Sequence, residues 1–134
     1  PHNFYSITGY PGLETMLPLL LSEGVNKGRI SLEQLVQVTS YNTAKIHNLP
    51  CKGSLTPGSD ADLVIVDLDK EDEISADKLH SYCDFTIWEG WKAKGWPILT
   101  MSRGVVLAED GQIVGKPGHG LYLRGQPMTG NSYP

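Results

Sequence analysis

The first fifty residues carry the hydrophobic spacing of helices. Apolar residues recur at the i, i+3, i+4, i+7 and i+8 positions of one helix face, a stripe typical of an amphipathic helix. Gly24 is expected to end this helix. Pro18 is expected to shift its start toward Glu14 or to kink it, because proline lacks the amide hydrogen that a helix interior needs. The stripe consists of Leu13, Met16, Leu17, Leu20 and Leu21.

A second helix and a short third one follow. Ser31 and Gln34 have the spacing of a capping box, in which each side chain binds the backbone amide of the other residue. The apolar spacing continues after this cap. A third short helical turn is expected from residue 42 or 43 to about residue 48.

From Leu55 the pattern changes to that of strands. Pro57 presets the φ angle of a type II turn, and Gly58 accepts the positive φ that the next position requires. The run Leu63–Val66 is apolar and rich in β-branched residues, which predicts a short strand buried on both faces. The charged run Asp69–Glu73 is predicted to be a solvated loop.

The last third of the chain is predicted to hold a hairpin. Residues 99–103 and 104–108 have strand-like composition and lead into the Asp110-Gly111 pair, a strong hairpin signal, after which residues 112–114 return. Residues 115–134 are rich in glycine and proline and are expected to be extended. Helices followed by strands indicate α+β packing. The 134 residues are too few for a (β/α)₈ barrel, which needs roughly 200 to 250.

Composition argues against two classes of partner. The net charge is −4 and the isoelectric point is near 5.5, and the eleven Lys and Arg residues are scattered, so no nucleic-acid surface is expected. The longest apolar stretch, Met16–Leu21, is far shorter than the ~20 residues of a membrane span. Cys51 and Cys83 lack CxxC spacing and are expected to be free thiols in a cytoplasmic protein.

The histidines are isolated from one another in sequence. His2, His47, His80 and His119 lack the spacing of a metal-ligand set. Of these, His80 and His119 are expected to be exposed in loops. The three tryptophans between residues 88 and 96 are expected to have a packing role rather than to form a stacking platform for sugars or bases, because no basic cluster accompanies them.

Several segments resemble the amidohydrolase superfamily. Residues 52–67, with the sequence KGSLTPGSDADLVIVD, resemble the segment that enters the small β-sandwich beside the metal-bearing barrel of that superfamily. Residues 9–20 and 40–46 resemble the closing barrel segments of its cyclic amidases: hydantoinase, dihydropyrimidinase, allantoinase and dihydroorotase. The Glu-Gly-Trp form of residues 89–91 favours the hydantoinase and dihydroorotase branch. Ile87 departs from the proline usual in this motif.

This resemblance implies an α+β fragment of a larger enzyme. Residues 1–50 would be the last helices of a (β/α)₈ metal-dependent hydrolase barrel, residues 51–125 part of a small β-sandwich, and residues 126–134 an extended tail. The rest of the barrel would precede Pro1. Without it, the apolar helix stripe is expected to leave exposed apolar surface or to cause self-association.

The resemblance also implies a reaction. In the family two divalent metals, with zinc as the expected ion, activate a hydroxide that attacks a ring amide, and an aspartate acts as general acid and base. The substrate would be a hydantoin, dihydropyrimidine, dihydroorotate or allantoin. The metal ligands and the aspartate would lie upstream, so the chain alone is expected to contain no catalytic residue, to bind no metal and to be inactive.

Three residues match substrate-binding positions of the family. His2 would contact a carboxylate or ring oxygen of the substrate, with a surface histidine as the alternative. Thr8 and Gly9 match a loop whose backbone groups hold the ring amide, with ordinary turn residues as the alternative. The expected partners are a small cyclic amide or ureide and, in the full-length protein, further copies in a dimer or tetramer.

Two other hypotheses stay open at this point. The chain could belong to a non-catalytic protein related to dihydropyrimidinase, which keeps the fold and serves in assembly. An intact set of upstream metal ligands would separate the enzyme from that module. It could also be a free-standing α+β binding domain, for which good solubility and cooperative unfolding of residues 1–134 alone would be the sign.

Overall fold

The structure is a computed structural model that describes residues 9–125. Within that range, helices come first and a four-stranded sheet follows, which confirms the α+β class. The described residues divide into two compact units, residues 9–29 with 67–96 and residues 30–66 with 97–125. The division of the chain into barrel helices, sandwich and tail stays a prediction.

The first helix, α1, spans Leu13–Leu19 and runs without a break into a π-helical turn at Leu20–Val25. Pro18 lies inside α1 and is buried, and it cannot donate a hydrogen bond to the carbonyl four residues earlier. The wider π turn begins two residues later. The prediction that Gly24 ends the helix is therefore wrong, because the π turn carries the chain past it and its carbonyl accepts a bond from the Arg29 amide at 2.8 Å.

The face that α1 buries differs from the predicted stripe. Leu13 is 92% exposed and Met16 is 51% exposed. Of the predicted stripe only Leu21 is fully buried, and Leu17 and Leu20 are half-buried. The other buried residues of this helical segment, Thr15, Pro18 and Ser22, lie outside the stripe. Thr15, Pro18 and Ser22 have the i, i+3 and i+7 spacing of one helix face, so the segment buries a face beside the predicted stripe and leaves Leu13 and Met16 outside. The two exposed side chains agree with the expectation of uncovered apolar surface in this chain.

The second helix, α2, spans Leu32–Val36 and continues through a π-helical turn at Gln37–Tyr41 into α3, Asn42–Ile46. The predicted capping box is confirmed: the Gln34 amide donates to Ser31 Oγ at 3.2 Å, and the Ser31 amide donates to Gln34 Oε1 at 2.8 Å. The predicted third turn is α3, joined to α2 without an intervening loop.

The Pro-Gly turn forms as predicted. The Ser59 amide donates to the Thr56 carbonyl at 3.0 Å, and Gly58 has a φ of +97°, which are the marks of a type II turn. The strand after it, β1, spans Leu63–Glu73 and is longer than predicted.

Two predictions about this strand are wrong. Asp69–Glu73 belongs to β1 and is not a loop, because strand pairing requires only backbone groups and accepts charged side chains that face solvent. Asp69, for example, forms a 3.0 Å ion pair with Lys94. The strand is also not buried on both faces, since Val64 is 48% and Ile65 is 51% exposed.

The sheet has the strand order β1-β2-β3-β4, in which β2 spans Lys92–Ser102, β3 Val105–Glu109 and β4 Gln112–Ile113. Strands β2, β3 and β4 pair antiparallel, with a register shift between Thr100 and Met101. The hairpin prediction is confirmed, since Asp110 and Gly111 have φ values of +46° and +76°.

Three sequence expectations can be compared with the described residues directly. Cys51 and Cys83 are free and exposed, as expected. Residues 116–125 contain no helix or strand and include a turn at Pro117–Gly118. The extended conformation of the segment stays a prediction. No helix between residues 9 and 125 is long and apolar enough to cross a membrane.

Candidate functional site

The predicted substrate-binding residues lie at the N-terminal edge of the structure. His2 and Thr8 fall outside the described residues. Gly9 is the first described residue; it is exposed, and no atom lies within 4 Å of the position that a Cβ would occupy. This open position refers to the part of the chain that the structure describes, and the role of all three residues stays a prediction.

A groove of about 320 Å³ begins next to Gly9. One wall is the loop of residues 10–12 with the first turn of α1, and the other wall is residues 79–81 from the connection between β1 and β2. Both walls belong to the same compact unit. The lining residues are Tyr10, Pro11, Gly12, Leu13, Glu14, Thr15, Leu79, His80 and Ser81.

A two-point contact between Glu14 and His80 joins the walls of this groove. Glu14 Oε2 accepts a hydrogen bond from the His80 backbone amide at 2.8 Å, and Glu14 Oε1 lies 2.8 Å from His80 Nδ1. The two side chains are 41% and 40% exposed. His80 is thus in an exposed loop, as predicted. Its partner Glu14 lies 66 residues away and could not be predicted from sequence.

His119 differs from the prediction. Its Nε2 lies 3.0 Å from the Ser102 carbonyl and its own carbonyl accepts a bond from the Arg103 guanidinium. These contacts hold the side chain half-buried, so the expectation of an exposed His119 is wrong. A hydrogen-bonded histidine of this kind has a structural explanation and needs no catalytic one.

The tryptophans make packing contacts. Trp88 and Trp91 meet edge to face, with ring centroids 5.5 Å apart and planes at 86°, an arrangement typical of packed aromatic pairs. Trp96 donates its Nε1 hydrogen to the Ala93 carbonyl at 2.9 Å. These geometries support the predicted packing role.

An ion cluster ties the type II turn to the start of β1. The Lys52 ammonium lies 2.8 Å from Asp60 and also contacts Asp62. Asp62 in turn accepts a hydrogen bond from the Arg103 amide at 2.8 Å. The hydrogen bond to Asp60, followed by that to Asp62, raises the pKa of Lys52. The bond from Lys52 lowers the pKa of Asp62, an effect that burial opposes and the Arg103 amide strengthens.

We expect Lys52→Met to flatten the pH dependence of stability in the full-length protein. The lowered pKa of Asp62 means that its stabilisation is present above about pH 4 and is lost as the pH falls through the folded-state value. The raised pKa of Lys52 means that its stabilisation is present below about pH 10 and is lost as the pH rises through its folded-state value. Near pH 7 the variant should lose about 1 kcal/mol, since partial exposure screens the charges.

Urea unfolding across the pH range measures this effect. Lys27→Met is the matched control, because Lys27 lies in the turn after the first helical segment and forms an i,i+4 ion pair with Glu23. Such exposed pairs contribute little to stability. An Lys52→Met profile that is parallel to the wild-type profile from acid to alkaline pH would contradict the assignment.

The described residues do not fit a metal centre. Between residues 9 and 125 no three His, Cys, Asp or Glu side chains lie close enough together to hold an ion.

Comparisons with known proteins agree with this architecture. Residues 11–107 match the amidohydrolase family. The chain is 45% identical over 116 residues to an L-hydantoinase from Paenarthrobacter aurescens, covering 86% of this chain and 25% of the relative. It is 44% identical over 122 residues to a D-phenylhydantoinase from Escherichia coli O1:K1 / APEC, covering 90% of this chain and 26% of the relative.

Solved structures give the same result. A D-hydantoinase (dihydropyrimidinase) from Thermus sp. superposes with a TM-score of 0.86 at 38% identity, covering 90% of this chain and 26% of that one. An L-hydantoinase (dihydropyrimidinase) from Arthrobacter aurescens gives a TM-score of 0.77 at 46% identity, covering 81% and 24%. The chain spans about a quarter of the length of these relatives. With the family match extending over most of its length, the chain belongs to the amidohydrolase family.

Proposed function

We propose that this chain is the C-terminal segment of a hydrolase that opens the ring of a cyclic amide of the hydantoin, dihydropyrimidine, dihydroorotate or allantoin class. The observation that carries the proposal is the 45% identity to an L-hydantoinase over 116 residues. Identity at this level across both the helical part and the sheet supports a shared role in the whole protein.

The contribution of this chain would be to shape the substrate site. The exposed Gly9 and the adjoining groove present backbone groups and a partly apolar wall, which suit a small ring with few polar atoms. In the proposed assignment His2, Thr8 and Gly9 contact the substrate. The exposed face of α1 at Leu13 and Met16 packs against the remainder of a (β/α)₈ barrel.

The metal would be held elsewhere in the protein. The amidohydrolase family depends in general on divalent ions, and we propose zinc for this member. We propose that the ligands precede Pro1. Between residues 9 and 125 there is no group of three His, Cys, Asp or Glu side chains that could hold an ion. We further propose that the full-length protein is cytoplasmic and assembles as a dimer or tetramer.

Two measurements on the full-length protein test this proposal. The coding sequence before Pro1 is expected to contain a His-x-His pair, a lysine, two later histidines and an aspartate. Metal analysis of the purified protein is expected to find about two divalent ions per chain, the number in the two-metal sites of hydrolases. A barrel that lacks these ligands and binds no ion would favour a non-catalytic relative of dihydropyrimidinase.

A further inference from the structure

The contact between Glu14 and His80 has the geometry of a clamp on the groove. Glu14 lies in the first turn of α1, immediately after the loop of residues 10–12. One carboxylate oxygen holds the backbone of His80 and the other holds its ring, each at 2.8 Å. Because an ionised carboxylate only accepts hydrogen bonds, His80 Nδ1 carries the hydrogen in this arrangement. These two bonds fix the backbone position of His80, and hence of residues 79–81, and they also fix the orientation of the His80 ring.

Hydrogen bonds connect the helical turn that carries Glu14 to Gly12, the last residue of the loop of residues 9–12. The Met16 amide donates to the Gly12 carbonyl at 3.0 Å, and the same carbonyl accepts a bond from Thr15 Oγ1 at 3.3 Å. Thr15 is only 1% exposed, so its side chain is held by packing as well. A displacement of Glu14 would therefore also displace Gly12, because the first turn of the helix is bonded to the Gly12 carbonyl.

We propose that Glu14 and His80 are positioning residues that hold the loop of residues 9–12 in the conformation that receives the substrate ring. This inference rests on the proposed function for the role of the loop, whereas the clamp itself rests on the observed contacts alone. Neither residue touches the reacting atoms in this assignment. Each acts by reducing the freedom of the loop before substrate binds, which lowers the entropy lost on binding.

Two substitutions of His80 test the clamp in the full-length protein. In His80→Asn the amide nitrogen is bonded to Cγ, as Nδ1 is in histidine, so it can still donate to Glu14. In His80→Gln the amide lies one bond further out. Both variants lose the imidazole ring and keep an amide, so a difference between them reports on the donor position rather than on the lost ring.

Hydrogen exchange provides a readout that does not depend on catalysis. His80→Gln is expected to speed exchange of two amides by about tenfold, the backbone amide of residue 80, which donates to Glu14, and the Met16 amide, which donates to the Gly12 carbonyl. This is the change expected for one hydrogen bond to a charged group at a partly exposed site. His80→Asn should stay within about twofold of wild type, and the melting temperatures of the two variants should agree. The proposal would be overturned if the two variants exchanged these amides at the same rate, whether or not their melting temperatures fell.

Kinetics separate this proposal from the proposed function. If the wild-type protein hydrolyses a cyclic amide, His80→Gln should lower kcat/KM about tenfold, mainly by raising KM. The kcat/KM of the separate variant His80→Asn should stay within about twofold of wild type. An active wild type with unchanged kinetics in both variants would contradict the positioning role. An inactive wild type would contradict the proposed function, and the exchange experiment would still decide whether the clamp exists.

Discussion

Replacing Gly53 with alanine is expected to lower the local free energy of unfolding around α3 by roughly 2 to 4 kcal/mol, the sum of a left-handed backbone penalty and overpacking. Gly53 has a φ of +73°, which favours glycine. A Cβ at this position would lie 2.8 Å from Ala44 Cβ and 2.8 Å from the Ser40 carbonyl oxygen. Neither atom can move away without shifting the helical backbone.

Gly28→Ala is the matched control for this prediction. Gly28 has a similar φ of +66°, but no atom lies within 4 Å of its Cβ position, so only the backbone penalty of about 1 kcal/mol applies. Hydrogen exchange of the amides of residues 40–49 in the full-length protein measures the local effect. Equal effects of the two substitutions, each on its own segment, would show that the packing around Gly53 is looser than the structure indicates.

Replacing Gly95 with alanine is expected to loosen the contact between the first helical segment and β2, also by roughly 2 to 4 kcal/mol. Gly95 has a φ of +103°, and a Cβ there would lie 2.8 Å from Leu21 Cβ. Leu21 is 1% exposed and belongs to the π-helical turn. Its Cβ can therefore move only if the helical backbone moves with it. The Asn26 side chain, which donates to the Lys94 carbonyl at 2.7 Å, would be displaced as well.

Gly58→Ala serves as the control for Gly95→Ala. Its φ of +97° is nearly the same, and its Cβ position is open. The expected observation is strong loss of exchange protection in residues 20–26 for Gly95→Ala only, with a loss of about 1 kcal/mol confined to the type II turn for Gly58→Ala. Unchanged protection of the π-helical turn in Gly95→Ala would contradict the close approach of helix and strand.

The local features of this fold could be predicted from sequence because particular residue types fix particular backbone angles. The Ser31–Gln34 capping box, the type II turn at Gly58 and the turn at Asp110-Gly111 formed as predicted. Each depends on two to four neighbouring residues. Such signals survive in any tertiary context that leaves the segment intact.

The longer features could not be predicted because they depend on tertiary contacts. The charged half of β1 is a strand because a neighbouring strand pairs with its backbone, which side-chain polarity does not reveal. The buried face of the first helical segment includes Thr15, Pro18 and Ser22. A hydrophobic periodicity takes no account of such residues, because two of them are polar and the third is a helix breaker.

In the candidate site, too, local sequence motifs could be predicted and long-range contacts could not. The family assignment followed from quoted sequence motifs and is confirmed by the family match. The Glu14–His80 contact had no sequence signal, since 66 residues separate its members. The Lys52 cluster has a partial sequence signal. The predicted turn lies between Lys52 and the two aspartates, Asp60 and Asp62, and it returns the chain toward Lys52.

Ring hydrolysis by the full-length protein tests the proposed function most directly. The purified, metal-replete protein would be incubated with a hydantoin, a dihydropyrimidine, dihydroorotate and allantoin, and the ring-opened acid would be measured by mass spectrometry before and after chelation. We predict ring opening of at least one of these substrates, loss of that activity with the metal removed, and recovery with zinc. A folded, metal-replete protein that opens none of the four rings would contradict the assignment of this chain to a cyclic-amide hydrolase.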